Sequence, residues 1–464
     1  MEGSEGARYI SEIAANVKVE KTENYPSSAP FAEKDKNIEI ASIGPEKTKK
    51  SIKVGPLRLP VKEEEATIDR VSRFHGRALT HEFINNNVLW GGDLPGDIFG
   101  SRDYKGLSMA IDLDNPLFVD RNSGYGYSVK GLKDNLGIMR IERASDFLRK
   151  NGLPTEKIVR ESTLKEVWVK SGSNEVVKIS IETFKKEVLK RIWGSAQVER
   201  KNGDFYSAQT LEKKWRDIKD YFESTNFYAV TRDLQTAERL TDIAHPTSMD
   251  KFRKNISSVF KWINTACAAK GSGIIPNTEK PEPFNNNEDD IKRYLSEWLP
   301  KQMGIYLART HNLNLTHNFP HEQNWSAVGT LYDLDSLCGI PLGDKIDDDA
   351  LEQQKYMDCS NTLSALERSL PPDTPFGNDI AKLYPEVFEK AIESFLVAYI
   401  KERWGKQQLI NSKFISKIES KYIWQIPFPN VSDKFANNEL KSKIVAKLRA
   451  SLTENQKLES PNKL

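Results

Sequence analysis

The stretch "LTHNFPHEQNWSAVGTLYDLDS", residues 315–336, sets His317, His321, Glu322, Asn324, Asp333 and Asp335 among apolar residues. Two imidazoles four positions apart share a zinc ion when a helix aligns them, and Pro320 between them breaks such a helix. His317 is therefore expected to hydrogen-bond the backbone of its own loop. A divalent cation that carries nucleotide phosphates needs hard oxygen ligands instead. The amide oxygen of Asn324 and the carboxylate of Asp333, at opposite ends of a tight loop followed by the strand "SAVGTLYDL", supply that chemistry. Asp333 stands beside Leu331, Tyr332 and Leu334, where an ionised carboxylate is costly unless paired or metal-bound. Asn324, read alone, is equally a turn residue.

A second pair of residues points the same way. Lys130 ends the strand-like "YSVKGL", and Glu142 lies in "RIERA" of the helix that follows. In protein-kinase-like folds a strand lysine holds nucleotide phosphates and a helical glutamate fixes it by an ion pair. The plain alternative is two solvated charges.

These residues need elements to hold them. Residues 1–65 are rich in Lys, Glu, Ser and Pro and read as a flexible arm with a strand or two. "WGGDLPGDIFGSRDYKG" (90–106) crowds glycines around a proline, a composition for tight loops whose backbone amides face an anion. "LSMAIDL", "PLFVD" and "YGYSVKG" read as short antiparallel strands separated by turn residues. "GIMRIERASDFLRKN" has helical spacing and stops at Gly152. "LPTEKIVRESTLKEVWVKS" returns to strand character. Residues 180–310 read mostly as helices, interrupted by a loop at 271–290, and 345–405 is helical again. The helices of 180–295 suit substrate or partner selection, or plain scaffold. From 431 a Lys-rich helix runs into a tail.

Composition narrows the classes. The chain has 464 residues, 38% hydrophobic and 29% charged, which is long for one core and ordinary for a folded protein. Lys plus Arg (68) nearly balances Asp plus Glu (66), so no nucleic-acid partner is expected. No window is apolar enough to span a membrane, and the N-terminus lacks a secretion-type signal. Three dispersed cysteines without a CxxC argue against a disulfide scaffold and for a reducing compartment. The expected place is the cytoplasm, or a host cytosol for a secreted effector.

In order, the Gly-rich segment, the small sheet with Lys130, the helix with Glu142, a long helical region and H-x6-N-x8-D resemble the selenoprotein O family of protein-kinase-like enzymes. "SVKG" followed by "RIERASDFLRKNGLPTEKIV" is similar to that family's strand end, Arg-rich helix and Gly-(Ile/Leu)-Pro-Thr turn. "THNFPHEQNWSAVGTLYDLDSLCG" is similar to its His loop, metal-binding Asp-Asn end and following strand. "FEKAIESFLVAYIKERWG" is similar to one of its C-terminal helices. The similarity covers about residues 70–170 and 295–405.

The resemblance implies an α+β, bilobal protein-kinase-like fold. Residues 66–178 would form an N-lobe of small antiparallel sheet plus helix. Residues 179–430 would form a larger helical C-lobe, with an insertion at about 180–295 and the metal and catalytic loop at 315–336, before a C-terminal helix and tail at 431–464. It implies ATP with Mg²⁺, or Mn²⁺ in its place, and transfer of AMP to a protein or peptide. Lys130 would contact phosphates together with Gly131, Arg102, Lys105 and Arg140; Glu142 would hold Lys130; Asn324 and Asp333 would bind the metal.

Departures from the family matter. Where it has an aspartate before the metal-binding asparagine, Gln323 stands, which takes no proton. Phe319 occupies the position of an ordinary kinase's catalytic aspartate. Glu322 and Asp335 are the nearest carboxylates to serve as base, and Glu322 with Asp333 completes the expected catalytic set. The Gly-Asp-Gly-Arg loop is replaced by "GDIFGSRDYKG", and a selenocysteine-type C-terminus is missing from "SPNKL". The readings are an AMP-transferring nucleotidyltransferase first, then a kinase acting on a protein or small molecule, then a nucleotide-binding pseudokinase scaffold. Ligation such as glutamylation through an acyl-adenylate is a further reading. Oligomeric state is not legible in the sequence.

Overall fold

The computed structural model describes residues 52–54, 57–59, 68–71, 78–82, 90–91, 98–105, 111–119, 127–130, 132–171, 173–244, 246, 248–270, 282–369, 387–404 and 446. Before Ile98 it describes the backbone alone. Gly131, the side chains of Arg102 and Lys105, the 271–281 part of the expected loop, most of the arm 1–65 and the tail 431–464 apart from Ala446 lie outside the described residues. The molecule is a mixed α+β, helix-rich protein with small, mainly antiparallel sheets.

The main sheet is built around a strand that the sequence reading missed. Within the stretch expected to be a helical insertion, "FYAVTRDL" forms β11 (Phe227–Leu234). Its aromatic and β-branched residues suit a pleated sheet, and two edges of hydrogen bonding hold it there. On one edge it pairs with β3 (Ser101–Lys105) and β7 (Lys133–Asp134), on the other with β8 (Lys157–Thr163), all antiparallel. Beyond β3 lie β2 (Ala78–Glu82) and β1 (Ile68–Val71). The sheet therefore continues past the boundary expected at residue 179.

The Gly-rich stretch 90–106 is also corrected. It holds two paired strands, Trp90–Gly91 and Ile98–Phe99, and then β3. Because β3 is paired on both sides, by β11 and by β2, its backbone belongs to the sheet and not to an anion-cradling loop.

A smaller sheet joins β4 (Ile111–Asp112) in parallel to the hairpin of β9 (Glu166–Ser171) and β10 (Ser173–Ser180). β5 (Leu117–Val119) and β6 (Tyr127–Val129) form the expected antiparallel pair. Between β7 and β8 runs α1 (Asn135–Lys150), opened by Asp134, whose carboxylate accepts the Gly137 N–H at 2.7 Å. Its end is a Schellman motif: Leu153 N–H donates to Leu148 O at 2.9 Å and Gly152 N–H to Arg149 O at 3.0 Å. Gly152 supplies the positive φ of 77° that this stop requires.

From β10 the chain leaves as a helical hairpin, α2 (Ile181–Lys201) and α3 (Phe205–Ser224), and returns to the sheet at β11. The rest is helical: α4 (Leu240–Ala244), α5 (Met249–Lys270), α6 (Glu288–Arg293), one π-turn, α7 (Leu299–Asn312), α8 (Asp348–Ser369) and α9 (Val387–Trp404). Two hydrophobic clusters result. One joins α1 to the helical body through Ile141, Leu148, Trp262, Tyr306 and Phe395; the other lies between the small sheet and the α2–α3 hairpin, through Val129, Val169, Phe184 and Phe222. Burying two separate apolar sets is what a chain of this length is expected to do.

Candidate functional site

The turn after Asn324 brings the ends of the opening stretch together. Tyr332 N–H donates to Asn324 O at 2.8 Å and Ser326 N–H to Thr330 O at 2.8 Å, with an isolated bridge between Trp325 and Leu331. Gly329 turns the chain at φ 77°, and a Cβ there would meet Gln302 Cβ at 2.7 Å. The expected strand "SAVGTLYDL" is thus a tight hairpin, and it sets Asp333 next to the residue that pairs with Asn324. Trp325, Val328 and Leu331 are buried and hold it from below.

Asp333 adopts the left-handed conformation, φ 58° and ψ 53°, which aspartate tolerates better than most residues and which clusters at functional sites. Its side chain is about one quarter exposed, at 25%. Arg232 Nη1 donates to its Oδ1 at 2.9 Å, and Arg239 Nη1 lies 3.7 Å from its Oδ2. The sequence argument that a carboxylate here must be paired holds, and its partners are two arginines.

Arg232 is fully buried on the central strand β11 and also donates to Glu156 Oε2. Glu156, fully buried, follows the helix stop; its Oε1 accepts the Leu334 N–H at 3.0 Å, so one carboxylate ties β11 to the residue after Asp333. Thr155 beside it donates to Leu331 O at 2.6 Å. Arg239 spans the other side, donating to Gln323 O and lying 5.6 Å from the Tyr332 ring centroid. Buried Tyr332 has its phenol pushed up to about 12 by desolvation, so it stays protonated.

Lys133, on β7, reaches the same place and pairs with Asp335 Oδ2. Burial works to lower its pKa, but the carboxylates of Asp335 and Asp333 outweigh it, and Lys133 ends above the ordinary lysine value. Lys133, Arg232 and Arg239 therefore converge on Asp333 and Asp335.

The expected residues divide. Asn324 is buried, and its Nδ2 donates to Phe319 O at 2.8 Å, which leaves the amide oxygen as its acceptor. His317 behaves as expected: its Nε2 lies 2.9 Å from Tyr332 O, a carbonyl that can only accept, so Nε2 carries the proton. Lys130 sits in a turn after β6 with its N–H donated to Pro116 O at 2.8 Å.

The Lys130–Glu142 ion pair does not form among the described residues. Glu142 faces outward on α1 and shares a hydrogen bond with the Glu161 carboxyl, whose pKa is raised by burial and by Glu142. Arg140 is corrected as a phosphate contact. Its guanidinium is spent on Asp344 Oδ1 at 3.1 Å and on the carbonyls of Leu337 at 3.0 Å and Asp335 at 3.4 Å, clamping the segment after the site onto α1. Glu322 is buried, 8% exposed, with its carbonyl accepting from Thr241 N–H at 3.1 Å. It is not presented outward as a base, and Asp335 is engaged by Lys133. Gln323 and Phe319 leave the expected base positions without a carboxylate.

Four residues escaped the sequence reading: Lys133, Glu156, Arg232 and Arg239. One signal was legible, because Val230, Arg232 and Leu234 alternate and all are buried, so an arginine on the core-facing register of a strand needs a carboxylate partner. Which carboxylates it meets depends on segments 76 and 101 residues away.

No group of three or more His, Cys, Asp or Glu side chains placed to hold a metal ion occurs among the described residues. Mg²⁺ with a nucleotide is bound through one or two protein oxygens plus phosphates and water. Asn324 and Asp333 fit that minimal donor set and no protein-caged metal. No helix among the described residues is long and apolar enough to cross a membrane. In comparison with known proteins, no family model, no curated protein and no solved structure matches the chain.

Proposed function

We propose that the protein is an ATP- and Mg²⁺-dependent transferase of the bilobal protein-kinase-like class, similar to the selenoprotein O family, which transfers AMP to a hydroxyl group of a protein or peptide. The observation that carries this reading is the part-exposed carboxylate of Asp333, bonded by Arg232 and approached by Arg239, with the Lys133–Asp335 pair two residues on and Asn324 tied to Tyr332 across the hairpin. Polyphosphate transfer depends mainly on positioning and charge neutralisation, and a part-exposed carboxylate fixed by buried Arg232, with Arg239 beside it, offers a positioned ligand for the cation that would supply the neutralisation.

On this reading Asn324 and Asp333 would hold Mg²⁺, which would supply neutralisation of phosphate charge. Arg239, half-buried beside Asp333, would orient the polyphosphate. Arg232 holds Asp333 in place, and its own second bond to Glu156 holds it rigid. The substrate hydroxyl oxygen attacks the α-phosphorus, the bond to the β-phosphate oxygen breaks, pyrophosphate leaves, and the hydroxyl proton passes to water. Without a carboxylate at 323 the reaction lacks a general base worth about 10² to 10⁴ in rate, so slow turnover is expected.

The test uses α-labelled and γ-labelled ATP with the full chain and a protein mixture. Label from the α position, lost in Asp333→Asn and without Mg²⁺, supports AMP transfer; label from the γ position supports the kinase reading instead. No label from either and no ATP binding sinks both. Gln323, and the engagement of Asp333 by two arginines, favour one further reading, a nucleotide-binding pseudokinase. It is recognised by Mg²⁺-dependent thermal stabilisation by ATP without any transfer. The three cysteines are buried and none is in a disulfide, which suits the reducing compartment proposed for the protein.

A further inference from the structure

Residues 317–319 touch three parts of the candidate site in succession. His317 Nε2 donates to Tyr332 O at 2.9 Å, Asn318 Nδ2 donates to Ser336 O at 3.0 Å, and Phe319 O accepts from Asn324 Nδ2 at 2.8 Å. Tyr332 and Ser336 flank the segment that carries Asp333 and Asp335, and the third bond fixes the amide of Asn324.

This loop is held in turn by the helical body. Asp358 of α8, fully buried, accepts the His317 N–H on Oδ2 at 2.6 Å and the Asn318 N–H on Oδ1 at 2.9 Å. Asn361, three residues on, donates to Asn318 O at 3.4 Å. A carboxylate buried away from water needs donors of this kind, so the burial of Asp358 and the place of the loop depend on each other.

Asn318 joins the two halves. It adopts the left-handed conformation at φ 66°, which glycine and asparagine take more readily than most residues. Glycine would accept that backbone without carrying an amide, and aspartate would set an acceptor against the Ser336 carbonyl. Asparagine combines the conformation with a donor. The carbonyls on either side of Ser336, those of Asp335 and Leu337, go to Arg140 of α1. Three successive carbonyls are therefore each taken by a side chain of another element.

We infer that Asn318 is a positioning residue, which holds the segment of Asp333 and Asp335 in register with Asn324 so that the two metal-binding oxygens are in place before a ligand arrives. The metal in this statement rests on the transferase reading, and the brace does not. The Asn318 amide is spent on Ser336 O and on Cys338 Sγ at 3.1 Å, so it acts through that segment.

The experiment uses the full chain with two variants. Asn318→Gly keeps the backbone conformation and removes the amide; Asn318→Asp keeps the shape and reverses the polarity. Amide hydrogen exchange is followed by mass spectrometry, and Mn²⁺ uptake with ATP by electron paramagnetic resonance. In both variants exchange at residues 334–338 is expected to quicken roughly fivefold or more, with α7 and α8 within about twofold of the unmodified chain. Apparent Mn²⁺ affinity with ATP is expected to weaken by about tenfold or more, and metal-free binding of a fluorescent ATP analogue to change by less than about twofold. Unchanged exchange at 334–338 in Asn318→Gly, an equal rise in α7 and α8, unchanged Mn²⁺ affinity in a chain that takes up the ion, or an equal loss of metal-free binding overturns the proposal. If Asn318→Asp fails to fold, Asn318→Gly decides. Absence of Mn²⁺ uptake and of ATP binding by the unmodified chain counts against the transferase reading, and the exchange result then decides the brace by itself.

Discussion

Replacing Arg232 by Met tests the central strand and the candidate site together. The side chain is fully buried, and so is Glu156, whose Oε2 it binds. Methionine is close in volume, so the change removes charge with little cavity. Glu156 would keep only the Leu334 N–H on Oε1, and a buried carboxylate stripped of its cation typically costs about 3–5 kcal/mol. That is a large part of the roughly 5–15 kcal/mol that holds a domain folded. Asp333 contributes less to the loss, because its side chain is 25% exposed and Arg239 remains 3.7 Å away. Lys133→Met, whose partner Asp335 is 24% exposed, should cost only about 1 kcal/mol after solvent screening. The assay is urea unfolding of the full chain by tryptophan emission. The decisive variant is the double mutant Arg232→Met with Glu156→Leu. It should recover most of the loss, because neither charge is then left buried alone. A cost under about 1 kcal/mol for Arg232→Met, or strict additivity in the double mutant, would refute the reasoning that this pair is a buried, mutually dependent unit.

Other outcomes follow from single positions. Gly304→Ala on α7 places a Cβ 2.5 Å from Phe395 O of α9, so the two helices must separate at a cost of about 1–3 kcal/mol, read as a lower urea midpoint. Asp333→Asn should leave the urea midpoint nearly unchanged yet abolish the Mg²⁺-dependent part of ATP binding in a thermal shift; retention of that part would remove Asp333 from the metal site. Buried His311, between Tyr399 and Asp358, has its pKa lowered by desolvation, which outweighs the carboxylate. As pH falls below the ordinary histidine value of about 6.5, the unfolded chain therefore takes up a proton that the native one refuses. This contribution is fully present above that pH and is lost on acidification. The midpoint should fall from pH 7.5 to pH 5.5 with a slope that His311→Gln reduces; an unchanged slope would contradict it.

Local chemistry made part of this molecule legible in the sequence. The α1 helix, with its Asp134 cap and Gly152 stop, depends on residues within one turn of each end. The backbone bond of His317 follows from residues in one short stretch, whereas "SAVGTLYDL", read as a strand, folds back as a hairpin between Asn324 and Asp333. The burden on Asp333 was also legible, because a carboxylate flanked by apolar residues needs a partner wherever it sits. Its partner was not. Arg232 reaches Asp333 across 101 positions and Glu156 across 76, and no local propensity encodes which strand lies in the middle of a sheet. For the same reason Lys130 and Glu142, plausible by order alone, stay apart. α1 turns Arg140 and Arg143 toward the segment after Asp335 and Glu142 toward solvent. Residue types fixed what chemistry was available, and the antiparallel packing around β11 decided which charges meet, because pairing of buried ions is set by long-range register and burial.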